Sequence, residues 1–540
     1  MIDCHGRREI MKRFVVCCLL SICSMLFFEC SKPDEPETKE RQWTIMGYFD
    51  GNNNLDVSQA GTSYIIADVQ EMEKVGSNDE VTSVVMVSSL KTGGNSNYYL
   101  VEKHTDELPD KISSTKLKDL GTKDMSDPQV LKDFITWAKT NYPAKRYALV
   151  INDHGGGWRG VCEDEQNGGG ALMSMPALRS ALEGSPHFDV IVFHACLMSM
   201  VEVAYELQDL ADYMVACEFT MPMLSILGSD LWLAELVNNP TMPALDLATK
   251  VAQSVYDRGN ESQKITHMAV TDLSKIRALG ARISELGNRL ITETRGNWAE
   301  VGHAWGQTHF TDQDDPAFVD LREFVKKLQQ EENLKEINLI KNAANEVITA
   351  VNAAVPFTKT NAPGLSRGGL TIHFPYPNNK EQFDSTNYVK LKFKETNWYN
   401  FLSVFIKSAS QAMANTSVSG TVQWPGHNLS QFCVAVLDSS HTDYINSFAY
   451  VNVDRATGQF EFKLNLTANI DVIVEAFDDL NNNGTILEAG EGFGWWDRDA
   501  DGKWNDMFVL KPGDQIVNAN ITMKQATVSS LAKRRADHRR

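Results

Sequence analysis

An α/β layered domain followed by an all-β sandwich is the architecture this sequence predicts, and three patterns predict it. Between residue 41 and about residue 235, strand-like and helix-like segments alternate. Two short runs there, YALVIN (147–152) and DVIVF (189–193), are almost wholly apolar, as strands covered on both faces are. From about residue 415 the pattern changes to short alternating strands separated by turn residues.

Taken in order, WTIMGYF (43–49) reads as a strand, and Leu55–Val75, closed by Gly76, as a helix. VTSVVMVSS (81–89) is again strand-like. Ser126-Asp127-Pro128 supplies a cap, an acid and a first-turn proline, starting a helix that runs to about Tyr142 before Pro143. The two apolar strands follow. Residues 240–350 read as mostly helical, with a strand near 265–271 and a later one in GGLTIHFPYP (368–377). SVSGTVQW, FCVAVLD, QFEFKLNL and DVIVEAF then build the sandwich, assigned to 411–523. From Lys524 onward six bases stand against Asp537 without apolar periodicity, so 524–540 reads as a loose basic tail.

Composition excludes several classes. A chain of 540 residues that is 43% hydrophobic can bury more than one core, so most of it is not disordered. With 70 acids against 51 bases the net charge is −19, which argues against nucleic acid as a partner. Of nine cysteines, Cys4, Cys17, Cys18, Cys23 and Cys30 crowd the start; Cys162, Cys196, Cys217 and Cys433 are too dispersed for a disulfide framework. The spacing leaves open whether Cys162 and Cys217 pair.

Lys12 and Arg13 precede an uncharged run from Phe14 to Phe28, followed by Glu29 and Cys30. A basic n-region before an apolar stretch too short to span a bilayer is an export signal. The layout resembles a bacterial lipoprotein signal (1–29), which implies lipidation of Cys30, a tether over 30–40, and anchoring at the outer membrane with surface exposure. Glu29 departs from the small residue usual at that cleavage site, and a periplasmic or secreted protein fits the same layout.

The chemistry-bearing residues sit at the ends of the two apolar strands. His154, followed by Gly155, Gly156 and Gly157, lies just past the first; Cys196 lies just past the second, before an amphipathic helix from Ser199 to about Leu207. Ligands of open α/β sheets collect outside the carboxyl ends of strands, so the fold can bring the two together across 42 positions of sequence. A thiolate is the nucleophile, and the amino end of the following helix is expected to lower the pKa of Cys196. His154 is the expected proton carrier, and the N–H groups of Gly155 and Cys196 the oxyanion donors. His194 shares the strand face of Cys196, so two histidines and one cysteine also form a set of zinc ligands.

HGGGW followed by DVIVFHACLMSMVEVAYEL resembles the clostripain family of cysteine peptidases, relatives of caspases, legumains and gingipains. FDGNNNLD (49–56), DVQEMEKVGS (68–77), LADYMVACE (210–218), FVDLREFVKKL (318–328) and GGLTIHFPYP extend the likeness over roughly 41–406. The resemblance implies a caspase-like α/β/α sandwich with helical additions, a peptidase region at 41–410 with its core at 41–235, and a His154/Cys196 dyad. It also implies hydrolysis of protein or peptide substrates through a thioester, with no cofactor in catalysis.

Two departures concern specificity. The family's acid two residues before the nucleophile is His194 here, and a second acidic stretch reads Cys217-Glu218-Phe219-Thr220-Met221-Pro222, in which Glu218 alone remains acidic. A buried cation needs an opposing charge, so His194, Glu218, Phe219 and Met221 are expected to form a pocket for a non-basic side chain at P1, the residue before the cleaved bond. The loop EDEQNGGG (163–170) holds no base, so self-processing after a basic residue is not expected there.

In the carboxyl-terminal domain, Asp479-x-Asn481-x-Asn483-Gly484 and Asp497-x-Asp499-x-Asp501-Gly502 have the spacing that opens a calcium loop. Neither has the closing Glu of an EF-hand, and ordinary hairpin turns share the composition. A structural calcium is the expectation. Phe493, Trp495, Trp496 and Trp504 between and after these loops suit a core, or a platform for a glycan or protein partner. An alternative to the enzyme is a surface binding protein that keeps the peptidase fold with an altered site.

Overall fold

The structure, a computed structural model, describes residues 40–527 except 59–60, 106–107, 223–225, 309–314, 316, 363–366, 376–383, 413, 431–432, 439–448, 465, 467–468, 481–488 and 504–505. Cys30, the signal and tether, Asn481, Asn483, Trp504 and the tail beyond residue 527 lie outside the described residues. No described helix is long and apolar enough to cross a membrane.

Among the described residues, nine strands form the central sheet: β1 (Arg41–Gly51), β2 (Val81–Ser89), β3 (Asn95–Leu100), β4 (Thr115–Thr122), β5 (Ala144–Asn152), β6 (Phe188–His194), β7 (Ala211–Ala216), β8 (His267–Asp272) and β9 (Phe357–Thr360). Their order is β9-β8-β7-β6-β5-β1-β2-β3-β4. The five inner strands from β2 to β7 pair in parallel. Antiparallel strands extend both edges.

Period-two alternation divides each inner strand between two cores. Met46, Tyr48, Leu149, Ile151, Ile191 and Phe193 face one of them. Ile45, Phe49, Ala148, Val150, Val190 and Val192 face the other. The first core is covered by α2 (Pro128–Asn141), α3 (Met175–Leu182), α4 (Val201–Leu207) and α7 (Ile276–Glu293), and the second by α1 (Tyr64–Glu73), α5 (Ser229–Asn238) and α6 (Ala244–Glu261). The helical additions α8 (Trp298–Gly306), α9 (Leu321–Leu328), α10 (Asn338–Ala354) and α11 (Trp398–Ala412) enlarge the first core.

Helix α2 starts as its sequence dictates: the Asp127 carboxylate accepts from the Gln129 N–H at 2.8 Å, and Pro128 occupies the first turn. The helix expected over Leu55–Val75 is shorter and begins at Tyr64, capped by Ser63. Residues 52–58 turn instead. The Asn53 side chain accepts from the Leu55 N–H at 3.0 Å, while buried Asp56 accepts from Ser63, from the Ser89 hydroxyl at 2.6 Å and from the Leu90 N–H at 2.9 Å. These local bonds compete with helix for the backbone.

The carboxyl-terminal strands β10 (Thr416–Gln423), β11 (Cys433–Asp438), β12 (Gln459–Leu464), β13 (Ile470–Asp478) and β14 (Gly492–Trp495) belong to two sheets. A shared core of Val418, Phe460, Phe462, Ala435, Val472 and Val474 joins them as a sandwich. One boundary differs from expectation. Lys524–Gln525 pairs with Gly492–Phe493, and the Lys524 ammonium lies 4.0 Å from the Trp495 ring centroid, so this pair completes a sheet instead of opening a tail.

Phe134 of α2 is fully buried, with its ring 5.4 Å from that of Tyr98 and 6.2 Å from that of Tyr48. Phe134→Ala is expected to destabilise the chain by about 3–5 kcal/mol, measured by urea unfolding.

Candidate active site

Strands β5 and β6 run side by side in register, ending with Asn152 opposite His194. The Asp153 N–H reaches the His194 carbonyl at 3.4 Å, extending the pairing by one step. The chains then leave the sheet, carrying His154 and Cys196 to its carboxyl edge, where both are partly exposed above buried strands. Main chain touches main chain there. A Cβ built on Gly155 would lie 2.2 Å from the Cys196 carbonyl oxygen and 3.0 Å from its nitrogen, so only glycine permits this approach.

His154 Nε2 lies 2.8 Å from the Asn54 Oδ1 acceptor, which places the ring proton on Nε2 and leaves Nδ1 as the base of the neutral ring. Burial lowers the His154 pKa below its usual value, against the opposing charges of Glu163 and Glu165. Burial also raises the Cys196 thiol, partly offset by the Met221 N–H, which lies 3.2 Å from the sulfur. Both shifts favour the uncharged forms, thiol and neutral imidazole.

The expected helix effect on Cys196 is not found. Helix α4 begins at Val201, and residues 197–199 are held beside 217–219 by bonds from the Leu197 N–H to the Phe219 carbonyl (3.3 Å) and from the Ser199 N–H to the Cys217 carbonyl (2.8 Å). Leu197 takes a left-handed φ of 66° in making this turn. The helix start is thus displaced from the sulfur, and the dipole acts only within the first turn.

Beside Cys196 opens a small pocket lined by Leu55, Tyr64, Asp68, His194, Met221 and Pro222. Asp68, only 2% exposed, accepts from the Asn152 side chain at 2.6 Å and lies 3.6 Å from His194 Nδ1. That last spacing is an ion-pair distance and too long for a hydrogen bond. Asp153 also borders the pocket, but its carboxylate accepts from the Asn53 side chain and the Glu163 N–H, each at 2.6 Å, and burial pushes its pKa up.

Residues 47–407 match the model of the Clostripain family. The chain belongs to this family. Clostripain of Hathewaya histolytica is 30% identical over 199 residues, covering 32% of this chain, and this chain spans 36% of that relative's length. Among solved structures, a secreted C11 cysteine protease from Bacteroides thetaiotaomicron bound to an irreversible peptide inhibitor is 22% identical with a TM-score of 0.49, covering 67% of this chain and 99% of that one. Iotapain, a secreted C11 cysteine protease of the same organism, is 17% identical with a TM-score of 0.50 over 67% of this chain and 99% of its own, a likeness of fold.

Within this clostripain-family chain, two residues assigned to the pocket from sequence lie elsewhere. Glu218 is 1% exposed and pairs with Arg367 at 3.3 Å, while the guanidinium carbon lies 4.6 Å from the ring centroid of fully buried Phe219. Burial first, then Asp320, pushes the Glu218 carboxyl well up, against the attraction of Arg367. Next to Arg367, Glu218 is part of the core and unavailable to a substrate cation. His194 and Met221 do line the pocket.

Asn54 and Asp68 are the residues that sequence reasoning missed. Both stood in stretches quoted for the family resemblance, yet neither stretch reveals which side chain turns toward the cleft. Cys162, Cys196, Cys217 and Cys433 are free thiols, so no 162–217 disulfide forms. His154, His194 and Cys196 do not converge as a zinc set: among the described residues, the one group of three that could hold a metal is Asp497, Asp499 and Asp506. Asp501 turns to Lys503 instead, and Asp479 is buried in the sandwich.

Arg367→Met should cost about 3 kcal/mol of stability near neutral pH, because it leaves Glu218 buried without its cation. Glu218 in the folded variant then has a pKa raised far above 4.5, so the variant's stability is retained at low pH and falls as pH rises past that ordinary value. Urea unfolding of the variant and the parent between pH 4 and 8 measures both effects.

Proposed function

We propose that this chain is a cysteine endopeptidase acting through Cys196 and His154, exported and anchored by a lipid at Cys30. The observation that carries the catalytic reading is the junction where the Gly155 main chain packs on that of Cys196, beside a histidine whose tautomer Asn54 holds. Sulfur attacks the scissile carbonyl carbon as His154 Nδ1 takes the thiol proton. The N–H groups of Gly155 and Cys196 are assigned to the oxyanion. Collapse expels the amine, which takes the proton from His154, and leaves a thioester. Water, losing a proton to His154, then attacks the thioester; collapse expels the sulfur, which takes that proton back from His154, and the product acid ionises to solvent.

Because burial favours the uncharged form of both groups, proton transfer on this reading accompanies attack on bound substrate instead of preceding it. Iodoacetamide alkylation of Cys196 in the free protein is expected to show a midpoint above pH 9, while kcat/KM rises on its acid limb with a midpoint below 6.5, as His154 loses its proton. A peptidyl chloromethyl ketone should label the wild type and fail to label Cys196→Ala, whose turnover falls by about 10⁴-fold or more. Wild-type protein that neither labels nor turns over peptides would support the surface binding protein instead.

The pocket reading is a preference for non-basic P1 side chains. Its carboxylates are already engaged: Asp68 holds Asn152 and faces His194, and the environment of Asp153 favours the neutral acid. A guanidinium or ammonium entering there loses water without gaining a free counter-charge. In a fluorogenic panel varying P1 alone, apolar or acidic residues should exceed Arg and Lys by about tenfold or more in kcat/KM, a difference of about 1.4 kcal/mol. Dominant cleavage after Arg would refute the reading.

A further inference from the structure

The sandwich domain holds a group of carboxylates that the peptidase chemistry does not use. Asp497, Asp499 and Asp506 offer oxygens that all lie within 4.8 Å of one another. Each carboxylate also has one oxygen tied to the loop's own backbone. Asp497 Oδ2 accepts from the Gly502 N–H at 3.0 Å, Asp499 Oδ1 from the Asp501 N–H at 3.1 Å, and Asp506 Oδ1 from the Arg498 N–H at 3.0 Å.

The remaining oxygens of Asp497 and Asp506 are buried without donors. Asp506 is only 9% exposed, and its Oδ2 is buried without a hydrogen-bond partner; Asp497 Oδ1 is likewise buried and unpartnered. Leaving a carboxylate oxygen so placed is costly unless a positive charge meets it. The nearby side-chain cations are engaged elsewhere. Lys503 pairs with Asp501, and the Arg498 guanidinium carbon lies 5.3 Å from the Trp496 ring centroid and 4.8 Å from that of Phe508. Among the described residues, none of the three acids forms an ion pair with a side chain.

We infer that Asp497, Asp499 and Asp506 bind one calcium ion that fastens the turn after β14 to the segment entering the strand Phe508–Leu510. An all-oxygen donor set selects a hard cation. Three carboxylates offered by one irregular loop suit calcium, which accepts flexible geometry with ligands at about 2.3–2.6 Å, better than magnesium, which demands a near-ideal octahedron. Backbone carbonyls and water complete the shell. Asp506 replaces the Asp501 expected from spacing, and it comes from beyond the loop, so the ion closes a longer segment than an isolated Asp-x-Asp-x-Asp turn would. The domain containing the site lies outside the 47–407 family match, so the inference stands apart from the peptidase reading.

The test uses the full chain stripped with EDTA. Calorimetric titration with calcium chloride should show the wild type taking up one more calcium per chain than the Asp499→Asn/Asp506→Asn variant. Addition of 1 mM calcium, but not 1 mM magnesium, should raise the wild-type Tm by about 5 °C. In EDTA the variant should melt no lower than the wild type, because it removes charges that repel one another, and this separates loss of binding from misfolding. No uptake by the wild type, or equal uptake and equal Tm shift in the variant, would overturn the inference.

Discussion

The parallel pairing of β5 with β6 is the constraint on which the rest of the site depends. Its register, from Ala148 opposite Val190 to Asn152 opposite His194, sets how far each chain travels before leaving the sheet. Cys196 and His154 belong to the loops that follow, and Gly155 completes the junction by bringing its main chain against that of Cys196. A slip of one residue would turn every β6 side chain to the opposite face, exchanging Ile191 and Phe193 for Val190 and Val192 in the two cores. The hydrophobic layers therefore hold the register of the proposed catalytic pair as firmly as they hold the fold.

Around that junction, buried acids serve as backbone acceptors. Asp56 gathers Ser63, Ser89 and Leu90; Asp164 takes the Asn52 side chain at 2.9 Å and the Met125 N–H at 3.1 Å; Asp153 takes Asn53 and Glu163. Loops at a sheet edge carry unpaired polar groups, and these carboxylates satisfy them. Part of the acidic excess thus acts inside the fold. Partial burial likewise raises the Cys196 thiol and lowers the His154 ring, which suits the proposed activation of the thiol by bound substrate.

The sandwich domain uses its acids differently. Asp497 and Asp506 each keep one oxygen on a backbone N–H and bury the other without a hydrogen-bond partner, within reach of Asp499. Acids that close a loop from within and acids that face one another across a gap differ in what they demand, hydrogen-bond donors in the first case and a cation in the second.

The layered architecture was legible in the sequence because uninterrupted apolar strands and capped helices are local signals. Asp127 and Pro128 marked α2, and YALVIN and DVIVF marked two strands covered on both faces. His154, Gly155 and Cys196 stood out because glycines and reactive side chains followed those strands directly. Other features rested on partners distant in the chain. The turn over residues 52–58 depends on Ser89 and Leu90, the removal of Glu218 from the pocket depends on Arg367, and Asp68 enters the pocket because Asn152 and His194 meet it. By itself the sequence determined which strands are buried and which residues leave their ends, since periodicity and turn chemistry act over a few residues. Tertiary structure alone decided which carboxylates face the cleft, the core or one another, because that choice is made by hydrogen bonds and charges contributed from elsewhere in the chain.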